Sequence, residues 1–190
     1  ARELADGMVG LFWDNGVEGF FDTGVDHESL IVRPRNLYDN AVPSGSSVAI
    51  ELLLRLAELT GEREYETNAL RALRPMVELM SRHAAGFGRF LSALDFHLGP
   101  VVEIALLARS ADAGWQGLVA ETFGRYMPNR VVAGRIGGEA SSSRGLPLLE
   151  DREAIDGHGT AYVCRSYSCE LPVMHREELA AQLDALEGGG

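Results

Sequence analysis

The amino-acid sequence predicts a helix-rich α+β chain whose two parts differ in hydrophobic pattern. Over residues 1–99, apolar side chains recur mostly at three-to-four-residue intervals, which indicates amphipathic helices. From Val101 onward, short compact apolar runs replace this pattern, as is typical of buried strands. We therefore predict helical hairpins over 1–99, a small three-stranded α/β unit over 100–187 and a disordered tail over 188–190.

The first part is predicted to begin with a helix that ends near Trp13, because the turn-forming run 14–16 follows it. Residues 19–23 have the composition of a short strand, and residues 30–33 have that of a second one. We expect these two segments to pair across the loop 26–29.

Three further helices are predicted in the first part. Ser44 has the side chain of an N-cap, and Gly61 is placed to end the helix that Ser44 begins. The connection to the next helix is short, so that helix turns back antiparallel. Pro75 is expected to kink or split it, because proline removes a backbone donor and crowds the preceding turn. Another helix covers about 88–98.

The second part is predicted to contain a parallel pair of strands joined by a helix. Two apolar runs flank an amphipathic segment, and a strand–helix–strand crossover of this kind is right-handed and makes its strands parallel. The predicted strands are 101–108, 130–135 and 160–164, the helices are 115–126 and 177–186, and a loop rich in serine and glycine covers 137–145.

Charge and composition argue against several classes of partner and location. The chain has 17 basic and 28 acidic residues and a formal net charge of −11, and such a surface repels nucleic acid and anionic lipid. No run of about 18 apolar residues is present that could span a bilayer. Two cysteines argue against a secreted disulfide scaffold and favour a reducing cytosol, so a cytoplasmic location is expected.

The strongest functional signal is the polar segment 38–47, which leads directly into an apolar helix. Asp39, Asn40, Ser44 and Ser46 place carboxylate, amide and hydroxyl groups beside a helix start whose first N–H groups lack partners. This predicts a pocket for a polar, uncharged or anionic ligand. The alternative is turn chemistry with a helix cap, which needs no ligand.

A second candidate set combines aromatic rings with acids. Trp13 and Phe21 offer flat faces for a sugar ring, and Asp14, Asp22 and Asp39 are candidate proton carriers. Hydrolysis of a glycosidic bond needs two such acids about 5–10 Å apart. The alternative is that Phe20 or Phe21 belongs to the core and that Asp14 and Asp22 are turn residues.

No metal or cofactor is expected. The five histidines lack a ligand spacing such as HExxH, and the run 134–138 lacks the glycine spacing of a dinucleotide site. Cys164 and Cys169 have the wrong interval for a Cys-x-x-Cys redox turn. We expect Cys164 to be an apolar filler at the end of a strand and Cys169 to be an accessible thiol in the following loop.

Three groups of residues carry a resemblance to a known family. They are 10–14 with 19–23, 32–34 with 38–47, and 161–165 with Cys169 and 172–173. Together they resemble the thioredoxin-domain-containing proteins similar to spermatogenesis-associated protein 20, over nearly the whole chain. The family pattern usually has Asn after Pro-Ser-Gly, whereas this sequence has Ser46, which replaces an amide by a hydroxyl.

The resemblance implies a longer protein with a thioredoxin-like domain followed by an (α/α)6 toroid, like those of N-acylglucosamine 2-epimerases and six-hairpin glycosidases. This chain would then be the C-terminal portion, formed by the last helical hairpins of an incomplete toroid and the three-stranded α/β appendage. The implied function is carbohydrate binding or processing. Asp39 and Asn40 would orient a saccharide, Trp13 and Phe21 would stack on it, and the fragment alone is expected to be inactive.

The alternative implied by the same resemblance is a non-catalytic scaffold that docks the thioredoxin-like domain of the parent protein. Cys164 and Cys169 would then be the redox candidates of this chain, for a regulatory or resolving disulfide with that domain. In either case, helix faces meant for missing hairpins would be exposed, and we expect them to allow dimerisation.

Overall fold

A computed structural model describes residues 1–28, 31–137, 145–165 and 168–187 of the chain. The chain divides into two compact units, Ala1–Gly99 and Pro100–Gly190. The first is mainly helical, and the second is a sheet with helices. Among the described residues, no helix is both long enough and apolar enough to cross a membrane.

The first unit contains five helices and one short β-hairpin in its described residues. The helices are α1 (Arg2–Phe12), α2 (Gly45–Thr60), α3 (Arg63–Leu73), α4 (Val77–Arg82) and α5 (Gly88–Leu98), and the strands are β1 (Trp13–Asp14) and β2 (Gly19–Phe20). Pro75 splits the predicted third helix, since the 3-10 turn Arg74–Met76 separates α3 from α4. Gly61 ends α2 in the left-handed conformation, with φ at 71°.

Helix α2 is the centre of this unit, because it packs against both α3 and α5. The fully buried side chains of the unit lie at these contacts, and they include Ile50, Leu53, Ala69, Leu73, Phe90 and Phe96. Each buried large apolar side chain contributes about 1.5–3 kcal/mol relative to exposure. The buried carboxylate of Glu51 on α2 forms ion pairs with Arg55 and with Arg89 of α5, which adds a polar link between the two helices.

The predicted pairing of residues 19–23 with 30–33 is wrong for the described residues 31–33, whereas residues 29 and 30 of the predicted loop and strand lie outside the described residues. Strand β2 pairs antiparallel with β1, with Trp13 opposite Phe20. The turn chemistry explains the difference, because Asp14 Oδ1 accepts hydrogen bonds from the amides of Gly16 at 2.8 Å and Val17 at 3.2 Å. This turn folds the chain back immediately after α1. Residues 31–33 form no strand.

The second unit is a sheet of mixed strand direction with two helices. Its elements are β3 (Val102–Ala108), α6 (Ala113–Gly124), β4 (Arg130–Ile136), β5 (Thr160–Arg165), β6 (Ser168–Cys169) and α7 (Arg176–Glu187). The strand order is β4-β3-β5-β6. Strands β3 and β4 are parallel, as predicted, while β5 pairs antiparallel with β3 and β6 pairs antiparallel with β5. The predicted set of three strands therefore lacked β6. The predicted tail and most of the predicted loop 137–145 lie outside the described residues.

The sheet has two different faces because side chains alternate along each strand. One face packs on α6 and α7 in a cluster whose buried members include Ile104, Leu106, Val163, Leu118, Leu179 and Leu183. The other face carries Glu103, Ala105 and Leu107 of β3, and the 3-10 turn Pro147–Leu149 packs against β3 and β4. Cys164 lies on this second face, because it is directly opposite Glu103 in the β3–β5 register.

Candidate functional site

The first unit contains a cleft of about 470 Å³ between α1, β2 and the start of α2, which we call the cleft throughout. Aromatic and aliphatic side chains form most of its wall, and a few polar groups lie among them. Its lining residues are Met8, Phe12, Phe20, Phe21, Asp22, Asn36, Pro43, Ser44, Gly45 and Ala49. A small-molecule site typically has this composition and a volume of about 300–1,000 Å³.

The N-terminus of α2 contributes unpaired backbone donors to the cleft. Ser44 is the N-cap, and its hydroxyl oxygen accepts a hydrogen bond from the amide of Ser47 at 3.0 Å. The amides of Gly45 and Ser46 have no hydrogen-bond acceptor among the described residues, and Gly45 lines the cleft. These groups carry the partial positive charge of the helix start, so they favour an oxygen-bearing ligand.

Asp39 does not line the cleft, because its carboxylate is used to cap two helices. Its Oδ1 atom accepts hydrogen bonds from the amide of Ser44 at 3.0 Å and the hydroxyl of Ser47 at 2.6 Å. Its Oδ2 atom accepts from the amides of Arg89 at 2.8 Å and Phe90 at 3.2 Å, at the start of α5. Burial alone raises the pKa of Asp39, but these four hydrogen bonds lower it by more, so the pKa lies below its ordinary value. The carboxylate therefore acts as a clamp between α2 and α5.

The structure brings together three of the predicted site residues in the cleft, which are Phe21, Asp22 and Ser44. Asp22 also holds a second lining residue in place, since its Oδ2 atom accepts a hydrogen bond from the backbone amide of Asn36 at 2.8 Å. The three predicted acids do not converge on the cleft, because Asp22 lines it whereas Asp14 and Asp39 do not.

The remaining predicted residues have local roles outside the cleft lining. The Trp13 ring packs edge-on against Phe20 with centroids 5.1 Å apart, and its indole N–H donates to Asn15. The Ser46 hydroxyl is buried and donates to the carbonyl of Phe20 at 3.4 Å. Asn40 is exposed. Ser46 therefore holds β2 against α2 and does not present its hydroxyl to a ligand.

Two arginines that sequence reasoning missed flank the aromatic ring of Phe21. The guanidinium of Arg33 lies 4.2 Å from the Phe21 ring centroid, and that of Arg35 lies 5.7 Å from it. Both are fixed by backbone carbonyls, because Arg33 donates to Thr23 at 2.6 Å and Arg35 donates to Phe20 at 3.2 Å. A sequence signal existed in the spacing, since Pro34 forces an extended backbone between two arginines.

The prediction for the two cysteines is wrong in two respects. Cys164 and Cys169 are bonded to each other, so Cys164 is not merely an apolar filler and Cys169 is not a free thiol. Cys169 lies in β6 and not in a loop, directly opposite Cys164 in the register of the β5–β6 pair. In the part of the chain that the structure describes, no group of three or more histidine, cysteine or acidic side chains could hold a metal ion.

The sequence of this chain is similar to that of a known group of longer proteins. The chain is similar to spermatogenesis-associated protein 20. It is 29% identical to the Homo sapiens protein over 181 residues, 28% identical to the Rattus norvegicus protein over 184 residues and 27% identical to the Mus musculus protein over 184 residues. These alignments cover 94% of this chain and 23% of each relative, so the chain spans under a quarter of the relatives' length. No family model and no solved structure matches the chain.

Proposed function

We propose that the cleft of the first unit binds a saccharide or a similar polyol. The observation that supports the proposal is that aromatic rings and the unpaired backbone amide of Gly45 line the same cleft. Phe12, Phe20 and Phe21 line it together with Gly45. A sugar ring has an apolar C–H face, which aromatic carbon covers well, and hydroxyl oxygens at its edge, which amide N–H groups can bind.

The polar groups of the cleft can form hydrogen bonds with the hydroxyl groups at the edge of a sugar ring. Asp22 and Asn36 supply oxygen acceptors and a side-chain amide donor, while the backbone amide of Gly45 supplies a further donor. The chain's net charge of −11 disfavours a highly anionic ligand and is compatible with a neutral sugar.

We assign ligand binding, and no turnover, to this chain. Glycoside hydrolysis uses two carboxyl groups about 5–10 Å apart, whereas Asp22 is the single acid in the described lining of the cleft. Asp39 is unsuited to the second role because four donors already occupy its oxygens. An epimerase-like or glycosidase-like reaction, and the completed toroid that would enclose it, belong in this proposal to a longer parent protein.

The proposal is tested by calorimetric titration of the full chain with glucose, galactose, mannose and N-acetylglucosamine. We expect one of these sugars to bind, and Phe21→Leu to weaken its binding by roughly two- to tenfold, since aromatic contacts contribute about 0.5–1.5 kcal/mol beyond the area they bury. Asp22→Asn should also weaken binding, because it replaces a charged acceptor by a neutral one.

Two matched substitutions serve as controls. Phe123→Leu alters an exposed ring in the second unit, and Asp26→Asn alters an exposed acid outside the cleft lining. Both should bind sugar like the unsubstituted chain. The absence of binding by all four sugars, or equal weakening by Phe21→Leu and Phe123→Leu, would refute the proposal.

A further inference from the structure

The disulfide of the second unit has one accessible end and one enclosed end. The side chain of Cys164 is 2% exposed, whereas Cys169 on the two-residue edge strand β6 is exposed. An incoming thiolate can therefore reach the Cys169 sulfur from solvent, while Cys164 would leave within the protein.

A positively charged group contacts both sulfur atoms. The Nη2 atom of Arg152 lies 3.3 Å from Cys164 Sγ and 3.4 Å from Cys169 Sγ. The same guanidinium donates through Nη1 to the carbonyls of Pro147 and Leu148, which fixes its position. Within the described residues, no carboxylate forms a salt bridge with Arg152.

The Arg152 guanidinium stabilises a neutral disulfide only weakly, but it stabilises a thiolate strongly. A disulfide sulfur is a weak acceptor, whereas a thiolate beside a guanidinium is stabilised by charge, which lowers the thiol pKa. The position of Arg152 therefore favours the reduced, ionised form of the pair. A bond that only held β5 to β6 would not need a cation at its sulfurs.

Glu103 lies on the same face of the sheet, because it is directly opposite Cys164 in the β3–β5 register. Burial raises the pKa of the Glu103 carboxyl, and the nearby charge of Arg152 offsets part of that rise. A carboxyl with a raised pKa beside a thiolate can exchange a proton with it. The face thus combines a sulfur pair, a fixed cation and a proton-exchanging group.

We propose that Cys164–Cys169 is a redox-active disulfide that exchanges with an external dithiol. A thiolate of the dithiol attacks Cys169 Sγ, the sulfur–sulfur bond breaks, and its electron pair leaves on Cys164, which becomes a thiolate beside Arg152. In the resulting mixed disulfide, the first sulfur of the dithiol is bonded to Cys169 Sγ. The second sulfur of the dithiol attacks that first sulfur and releases Cys169 as a thiolate. In total the dithiol gives two electrons to the cysteine pair and ends as a disulfide. Its two protons are released to the solvent when its thiols ionise, and the solvent protonates each cysteine thiolate that does not stay ionised.

The test uses the full chain equilibrated with mixtures of reduced and oxidised dithiothreitol, followed by alkylation of free thiols and mass measurement. We expect reversible reduction of the wild-type pair. In Arg152→Gln the reduced form should become less populated, by roughly tenfold for each unit by which the thiol pKa rises. Arg109→Gln is the matched control, since Arg109 is an exposed arginine of the same unit without a contact to either sulfur in the described structure.

A second measurement keeps the proposal testable if Arg152→Gln does not fold, because Arg152 also anchors the 147–148 carbonyls. The thiolate absorbance of Cys164 is followed against pH in Cys169→Ser. We expect Cys164 to ionise below the ordinary cysteine pKa of about 8.5. Ionisation of Cys164 at or above that value, or an equilibrium in Arg152→Gln equal to that of Arg109→Gln, would overturn the proposal.

Discussion

Replacing Asp39 by asparagine tests the clamp between α2 and α5. Asparagine keeps one carbonyl oxygen, so it can serve the donors of Ser44 and Ser47 or those of Arg89 and Phe90, but not both pairs. Its amide N–H₂ group then faces two N–H or O–H donors. Asp39→Asn should therefore lose two hydrogen bonds and create a donor–donor conflict at one helix start.

The magnitude follows from the number of bonds and their exposure. Hydrogen bonds to a charged acceptor contribute about 1.5–3 kcal/mol each when buried. Asp39 is only partly buried, so water replaces part of each bond, and about 1 kcal/mol per bond is appropriate. We expect a loss of about 2 kcal/mol, which agrees with the usual cost of a lost helix cap.

The assay is urea unfolding of the full chain, followed by helical circular dichroism at neutral and acidic pH. At neutral pH the unfolding midpoint of the first unit should fall by about 1 M. Because the folded pKa of Asp39 is lowered, its contribution is complete above the unfolded aspartate pKa of about 3.9 and is lost as the pH falls through the folded value. The gap between the two proteins should therefore narrow in acid.

The control for this experiment is Asp26→Asn, which removes an exposed charge without removing a helix cap. Its midpoint should match that of the unsubstituted chain. If Asp39→Asn and Asp26→Asn unfold at the same urea concentration, or if the gap widens as the pH falls, the clamp described for Asp39 is wrong.

Two further predictions concern stability. The Tyr65 hydroxyl donates to Asp6 at 2.6 Å, and this hydrogen bond, burial and the charge of Asp6 raise the pKa of Tyr65 to about 12. Phenolate absorbance should therefore appear near that pH, and the stabilisation of the folded state by this contact should be lost as the pH rises from about 10 to 12. Ionisation of Tyr65 near pH 10 would contradict the contact. A Cβ on Gly159 would lie 2.8 Å from the Trp115 amide nitrogen, whereas one on Gly124 meets nothing within 4 Å. In thermal unfolding, Gly159→Ala should cost about 1–3 kcal/mol and Gly124→Ala should be neutral or stabilising; equal effects would show that the close approach of Gly159 to α6 is misassigned.

Local signals allowed the helices of the first unit to be predicted. The Ser44 cap, the Gly61 stop and the break at Pro75 each depend on residues within one or two turns of the feature itself. Such features follow from side-chain chemistry and backbone geometry at one place in the chain. The parallel pairing of β3 and β4 was also predictable, because the intervening helix restricts the connection.

Pairings between short segments were not predictable in the same way. Residues 19–23 had a strand-like composition, but composition does not select a partner, and the Asp14 turn decided the pairing with β1. Strand β6 has two residues, which is too short for an alternating pattern. The bond between Cys164 and Cys169 depends on the register of that same strand, so it was missed with it.

Some residues that line the cleft were predicted from the sequence, whereas the role of Asp39 was not. Ser44, at the start of α2, and Phe21 and Asp22, directly after β2, do line the cleft. Asp39 was misjudged because two of its donors, Arg89 and Phe90, lie about fifty positions further along the chain. No spacing within the polar segment 38–47 indicates that a distant helix needs the same carboxylate.

Helix α2 lines the cleft at its first turn and supports the rest of the unit through its remaining length. Ligand binding in the cleft is therefore linked thermodynamically to the cooperative unfolding of the helices that pack against α2. A ligand at one hundred times its dissociation constant would add about 2.7 kcal/mol to the unfolding free energy. The thermal unfolding temperature therefore gives a label-free measure of whether a candidate ligand, such as a sugar, binds in the cleft.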